Sequence, residues 1–93
     1  MKFKAVLFAS FREICGEREL VLYSEGPLTL EEALREVFGR CRGGLEGEIM
    51  EGGRVRDHVV IMVNGRNIKQ LGDLKTIINE GDEISIFPPV GGG

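Results

Sequence analysis

The sequence predicts an α+β domain, with a mixed sheet of four to five strands and one main helix lying across one face. Three observations carry that prediction. The chain of 93 residues is long enough for one domain with a modest core. Its apolar pattern alternates with period two near both ends and switches to the helical period once between them. The resulting order is strand, strand, helix, strand, short strand, strand.

Lys2 to Phe8 alternates, with Phe3, Ala5 and Leu7 on one face and Lys2, Lys4, Val6 and Phe8 on the other. Ala9 to Arg18 reads as a connection turning at Gly16. Glu19 to Tyr23 is a second strand presenting Leu20 and Leu22, and a hairpin is the simplest link to the first. After a turn over Ser24 to Leu28, Thr29 serves as N-cap and Glu32 completes a capping box. Leu30, Ala33, Leu34, Val37 and Phe38 then form one apolar stripe, and Gly39 is the expected stop. Arg40 to Asp57 is broken by glycines. It reads as a mobile connection, lightly pinned by Leu45 and Ile49, which could anchor one helical turn. His58 to Val63 is the next strand, Asn64-Gly65 a hairpin turn, and Arg66 to Lys69 a brief return. Leu71, Leu74 and Ile77 suggest packed loop structure. Gly81-Asp82 turns the chain into the last strand, Glu83 to Phe87.

One helix covers one face of such a sheet. The expected core face is Phe3, Ala5, Leu7, Leu20, Leu22, Val59, Ile61, Val63, Ile84 and Ile86. The opposite face then carries Val6, Phe8, Val60, Met62 and Phe87. An apolar patch there points to a protein partner, although scattered surface hydrophobes are also normal.

Composition excludes several classes. Hydrophobic residues make up 42% and charged residues 29%, as in ordinary globular domains. The net charge of −3 gives no electrostatic reason to expect nucleic acid or an anionic membrane. No apolar run approaches a membrane span, and Met1 leads straight into a strand without a secretory signal. Cys15 and Cys41 are expected as reduced thiols in a cytoplasmic protein. With His58 they are too few and scattered for a closed zinc site, so no metal is expected. No phosphate-binding loop or catalytic constellation is visible.

The end of the chain is the distinctive stretch. Pro88 and Pro89 stop the strand and stiffen a short extended exit. Gly91, Gly92 and Gly93 add reach without side-chain bulk, and Gly93 is expected to end in a free carboxylate. The organisation is therefore a domain over residues 1–89 and a flexible tail over 90–93. On these residues alone the tail is either a thin arm that another protein activates or a frayed end.

Two stretches carry a family resemblance: Val6-Leu7-Phe8-Ala9-Ser10-Phe11-Arg12-Glu13-Ile14-Cys15-Gly16, and Gly81-Asp82-Glu83-Ile84-Ser85-Ile86-Phe87-Pro88-Pro89-Val90-Gly91-Gly92-Gly93. Together they resemble the small subunit of molybdopterin synthase, the MoaD type of β-grasp, ubiquitin-like sulfur carrier. The second stretch is the specific one, since Gly-Asp-Glu, Phe-Pro-Pro and Gly-Gly occur together. The resemblance implies the β-grasp fold and no cofactor bound by this chain. An activating enzyme of the ubiquitin E1 type would adenylate Gly93 with ATP, and a sulfur donor protein would convert it to a thiocarboxylate. Pro88, Pro89, Val90, Gly91 and Gly92 would insert into the large synthase subunit (MoaE type), and Val6, Phe8, Val60, Met62 and Phe87 would bind it. The alternatives are a ubiquitin-like protein modifier, a carrier for thiamine synthesis or tRNA thiolation, and a β-grasp binding module with an inert tail.

Overall fold

The structure, a computed structural model, describes residues 1–89. The elements in order are β1 (Lys2–Leu7), α1 (Ala9–Cys15), β2 (Glu19–Tyr23), β3 (Leu28–Thr29), α2 (Leu30–Arg40), α3 (Leu45–Ile49), β4 (Met50–Glu51), β5 (Arg54–Val55), β6 (Val60–Val63) and β7 (Arg66–Asn67). Two single turns of 3-10 helix (Ile68–Gln70 and Asp73–Lys75), β8 (Ile77–Ile78) and β9 (Glu83–Phe87) complete the described chain. The main sheet runs β2-β1-β9-β6-β7. Its central pair, β1 and β9, is parallel, and the other pairs are antiparallel. This mixed sheet of five strands falls within the four to five expected.

All ten residues expected on the core face are buried. The pleat explains why: partners such as Phe3 and Leu22, Ala5 and Ile84, and Ile61 and Ile86 stand opposite one another in register and point the same way. Helix α2 closes this face with Leu30, Ala33, Leu34 and Val37. Its capping box is formed, with Glu32 N donating to Thr29 Oγ1 at 3.2 Å and Thr29 N donating to Glu32 Oε1 at 2.9 Å. These bonds satisfy donors that the first helical turn leaves open. The Asn64-Gly65 turn has positive φ at both residues, as a two-residue hairpin requires. Asn64 also ties this turn to the last strand, since its Nδ2 donates to Asp82 Oδ1 at 2.9 Å and its Oδ1 accepts from Glu83 N at 3.0 Å.

Five expectations need correction. Ala9 to Cys15 is a helix rather than a connection, and Phe11 and Cys15 are its buried residues. Helix α2 runs through Gly39 to Arg40 and is capped by Cys41, because Cys41 N still finds Val37 O at 3.2 Å. Arg40 to Asp57 is built rather than loose. Leu45 and Ile49 do anchor a helix, and Gly52-Gly53, with φ of 60° and 78°, turns a small hairpin between β4 and β5. His58 lies outside the strand, since its φ of 73° is left-handed and incompatible with a ladder. Leu28 and Ile77 are not loop residues but belong to a two-stranded ladder of β3 with β8.

The cysteines are the sixth correction. Cys15 and Cys41 are joined in a disulfide, with Cα atoms 4.4 Å apart across a sequence separation of 26. The ends of α1 and α2 meet over the core, which a count of cysteines could not reveal.

Candidate functional site

The outer face of the sheet is organised in rows set by register. Val6 and Met62 both stand opposite Ser85, and Val60 stands opposite Phe87. Phe8 continues the alternation of β1 by one residue, with extended backbone angles, before Ala9 turns the chain at φ 50°. Its N–H donates to Ile86 O at 3.3 Å. This places its ring on that of Phe87, stacked with centroids 4.3 Å apart and planes 14° apart. Stacking of aromatic rings is favourable beyond the area it buries.

The five expected face residues are therefore one patch across three neighbouring strands, and all are half-buried. Further along the strands the face becomes charged. Lys4 Nζ lies 3.7 Å from Glu83 and 4.0 Å from Glu19. Surface pairs of this kind contribute little stability and mark a solvated region. Ser85, half-buried between Val6 and Met62, is a patch residue that sequence reasoning left out. The same parity that places its neighbours would have found it.

The patch surrounds the point where the chain leaves the sheet. Phe87 is the last residue of β9, Pro88 is half-buried and Pro89 is exposed. Neither proline can donate to a ladder, so pairing ends there. Val90, Gly91, Gly92 and Gly93 lie outside the described residues.

The chemistry of the described residues is sparse. No group of three or more His, Cys, Asp or Glu side chains among them converges as a metal site. No helix among them is long and apolar enough to cross a membrane. The Glu32 carboxyl is held below its usual range, first by the backbone hydrogen bond from Thr29 and then by the Thr29 hydroxyl. That shift belongs to the helix cap rather than to the patch. A groove of about 500 Å³ lies elsewhere, between the β4–β5 hairpin and the 3-10 turns, and none of the expected site residues lines it.

Comparison with known proteins agrees with this architecture. The model of the ThiS family matches residues 5–93. Small archaeal modifier protein 3 of Haloferax volcanii is 34% identical over 93 residues, covering all of both chains. The crystal structure of SAMP1 from Haloferax volcanii superposes with a TM-score of 0.85 at 30% identity, again covering all of both chains. A candidate molybdopterin converting factor, subunit 1, from Pyrococcus furiosus superposes with a TM-score of 0.74 at 29% identity, covering 97% of this chain and 99% of that one. The fold is the β-grasp, ubiquitin-like fold, and the chain belongs to the ThiS family of the ThiS/MoaD sulfur-carrier superfamily.

Proposed function

We propose that this chain is a sulfur carrier in molybdopterin synthesis, acting as the small subunit of molybdopterin synthase. The observation that carries the proposal is the apolar patch around Phe87 at the root of the Pro88-Pro89 exit. A partner that covers the patch would also receive the residues beyond it. The likeness to the candidate Pyrococcus furiosus converting factor subunit supports the molybdopterin assignment.

The chemistry would take place at the Gly93 carboxylate. An E1-like enzyme would let a carboxylate oxygen attack the α-phosphorus of ATP, releasing pyrophosphate and leaving an acyl adenylate. The outer sulfur of a persulfide on a donor protein would attack the carbonyl carbon and expel AMP, which is a far better leaving group than oxide. A thiol would then cleave the acyl disulfide, freeing the thiocarboxylate and becoming a disulfide with the donor. The resulting thiocarboxylate would enter the large subunit and give its sulfur to the pterin precursor. Gly91 and Gly92 would leave the carbonyl unshielded. Ordering them costs roughly 1–2 kcal/mol each, and burial of the patch side chains, at roughly 1.5–3 kcal/mol for each one fully buried, offsets this.

A second reading is favoured by the full-length likeness to small archaeal modifier protein 3. The same activated Gly93 would form an isopeptide bond with a target lysine. Intact mass spectrometry of protein from its native cell separates the two, as replacement of oxygen by sulfur at Gly93 against conjugates on denaturing gels. Removal of Gly92 and Gly93 should abolish either product with almost no change in Tm. Activity surviving that removal would sink both readings.

A further inference from the structure

We propose that the Cys15–Cys41 disulfide is a reducible staple through which a dithiol reductant controls the docking of α1, and with it the Phe8–Phe87 stack. The staple would act whichever role the C-terminal glycine has. Cys15 ends α1 and Cys41 caps α2, so the bond ties two helix ends together. The surroundings are built around the same junction. Arg42 N donates to Cys15 O at 3.2 Å, and the Arg42 side chain lies over Gly16 so closely that a Cβ there would meet Nε at 2.9 Å. Gly16 is left-handed, with φ 90°, and returns its N–H to Arg12 O at 2.9 Å.

Helix α1 depends on such support. It has seven residues and no side-chain cap at its start. Isolated helices of that length are not stable in water, so its order derives from tertiary contacts. Phe11 anchors its first turns in the core, and at the Cys15 end the contacts are the disulfide and the bond from Arg42 N to Cys15 O. At the other end the helix begins directly after Phe8, whose carbonyl accepts from Phe11 N at 3.1 Å and Arg12 N at 3.4 Å. Phe8 in turn stacks on Phe87 where the chain leaves the sheet. Loosening the Cys15 end therefore frees the helix to shift about Phe8.

Cys41 is the more accessible of the two cysteines. Cys15 is 2% exposed, whereas Cys41 is partly exposed. An incoming thiolate would bond to the Cys41 sulfur, and Cys15 would leave as a thiolate. The second thiol of the reductant would then displace Cys41, so that the reductant becomes a disulfide and this chain takes up two electrons and two protons.

The test uses the intact chain in both redox states. Alkylation after unfolding should leave both sulfurs unmodified in oxidised protein and modify both after treatment with dithiothreitol. Hydrogen exchange over residues 9–16 should then accelerate on the order of tenfold or more on reduction. Tm should fall by about 10–25 °C, from the usual strength of a disulfide closing a loop of this size. The ring resonances of Phe8 and Phe87 should move with the redox state. A variant carrying Cys15→Ala and Cys41→Ala should show the same exchange with and without reductant. Failure of oxidised protein to form the bond, equal exchange in the two wild-type states, or unmoved Phe8 and Phe87 resonances would overturn the proposal.

Discussion

The stack of Phe8 on Phe87 can be measured apart from its role in any complex. Phe8→Ala, Phe87→Ala and the double variant form a thermodynamic cycle. The backbone bonds Phe8 N to Ile86 O, and Phe11 N to Phe8 O, remain available in every member. The cycle therefore isolates the rings. Both rings are half-buried, so each single change should cost about 1–2 kcal/mol, below the range for a fully buried phenylalanine. At 4.3 Å and 14° the rings are stacked at the short edge of the usual separations for aromatic pairs, which are worth about 0.5–1.5 kcal/mol beyond area. Each single variant loses that contact, but the double variant loses it once. The double should therefore be less destabilised than the sum of the singles by about 0.5–1.5 kcal/mol. Urea unfolding followed by far-UV circular dichroism resolves such a difference, provided the slopes stay equal. Additivity to within about 0.3 kcal/mol would show that the rings are not energetically coupled, and that the patch is not held together at the chain exit.

Other substitutions probe the core, the outer face and the helix cap. Ile61→Ala removes three carbons from a residue that is 1% exposed; at about 0.8 kcal/mol per methylene plus a cavity term, it should cost about 2–5 kcal/mol in urea unfolding. A loss of a few tenths would reverse the assignment of faces. Phe87→Asp should fold but, under the proposed synthase role, bind the large subunit at least about tenfold more weakly, because a carboxylate would be desolvated in the patch. Unchanged binding by calorimetry would remove the patch from the proposed interface. Glu32 is held below its ordinary range in the folded state, so its contribution is present above about pH 4.3 and lost as pH falls through the lower folded value. Tm scans from neutral to acid pH should therefore show the gap between wild type and Glu32→Gln narrowing below about pH 4.3. A gap independent of pH would show that the charge plays no part in the cap.

The sheet and α2 were legible because their signals are local and strong. Alternation in Lys2–Leu7 and Glu83–Phe87, the Thr29–Glu32 box and Asn64-Gly65 each dictate backbone geometry within a few residues. Helix α1 was missed although Phe11, Ile14 and Cys15 have helical spacing and Gly16 supplies a left-handed stop. Its start carries no capping side chain, and Ala9 enters at positive φ, so the sequence gives no boundary there. Gly52-Gly53 breaks the apolar period, yet two consecutive left-handed residues are what a tight hairpin needs. The disulfide follows from neither pattern nor composition, because the contact of the α1 and α2 ends is set by how both pack on the sheet. At the candidate site, strand parity was enough to group Val6, Phe8, Val60, Met62 and Phe87 on one face. The ring stacking was not, since it depends on the parallel register of β1 with β9.

That parallel register has a mechanical consequence. A pull applied at the Lys2 end of β1 and the Phe87 end of β9 acts in opposite directions along the two strand axes. The ladder from Lys4 and Glu83 to Leu7 and Ile86 would then be sheared, with its hydrogen bonds sharing the force. A pull on Lys2 and Tyr23, which are partners at the open end of β1 and β2, would instead peel that pair apart one bond at a time. Forced unfolding is governed by the unfolding barrier. The domain should therefore resist tension between its first and last strands far better than tension across its edge strand, and a tether at either end of the described chain would meet the stronger direction.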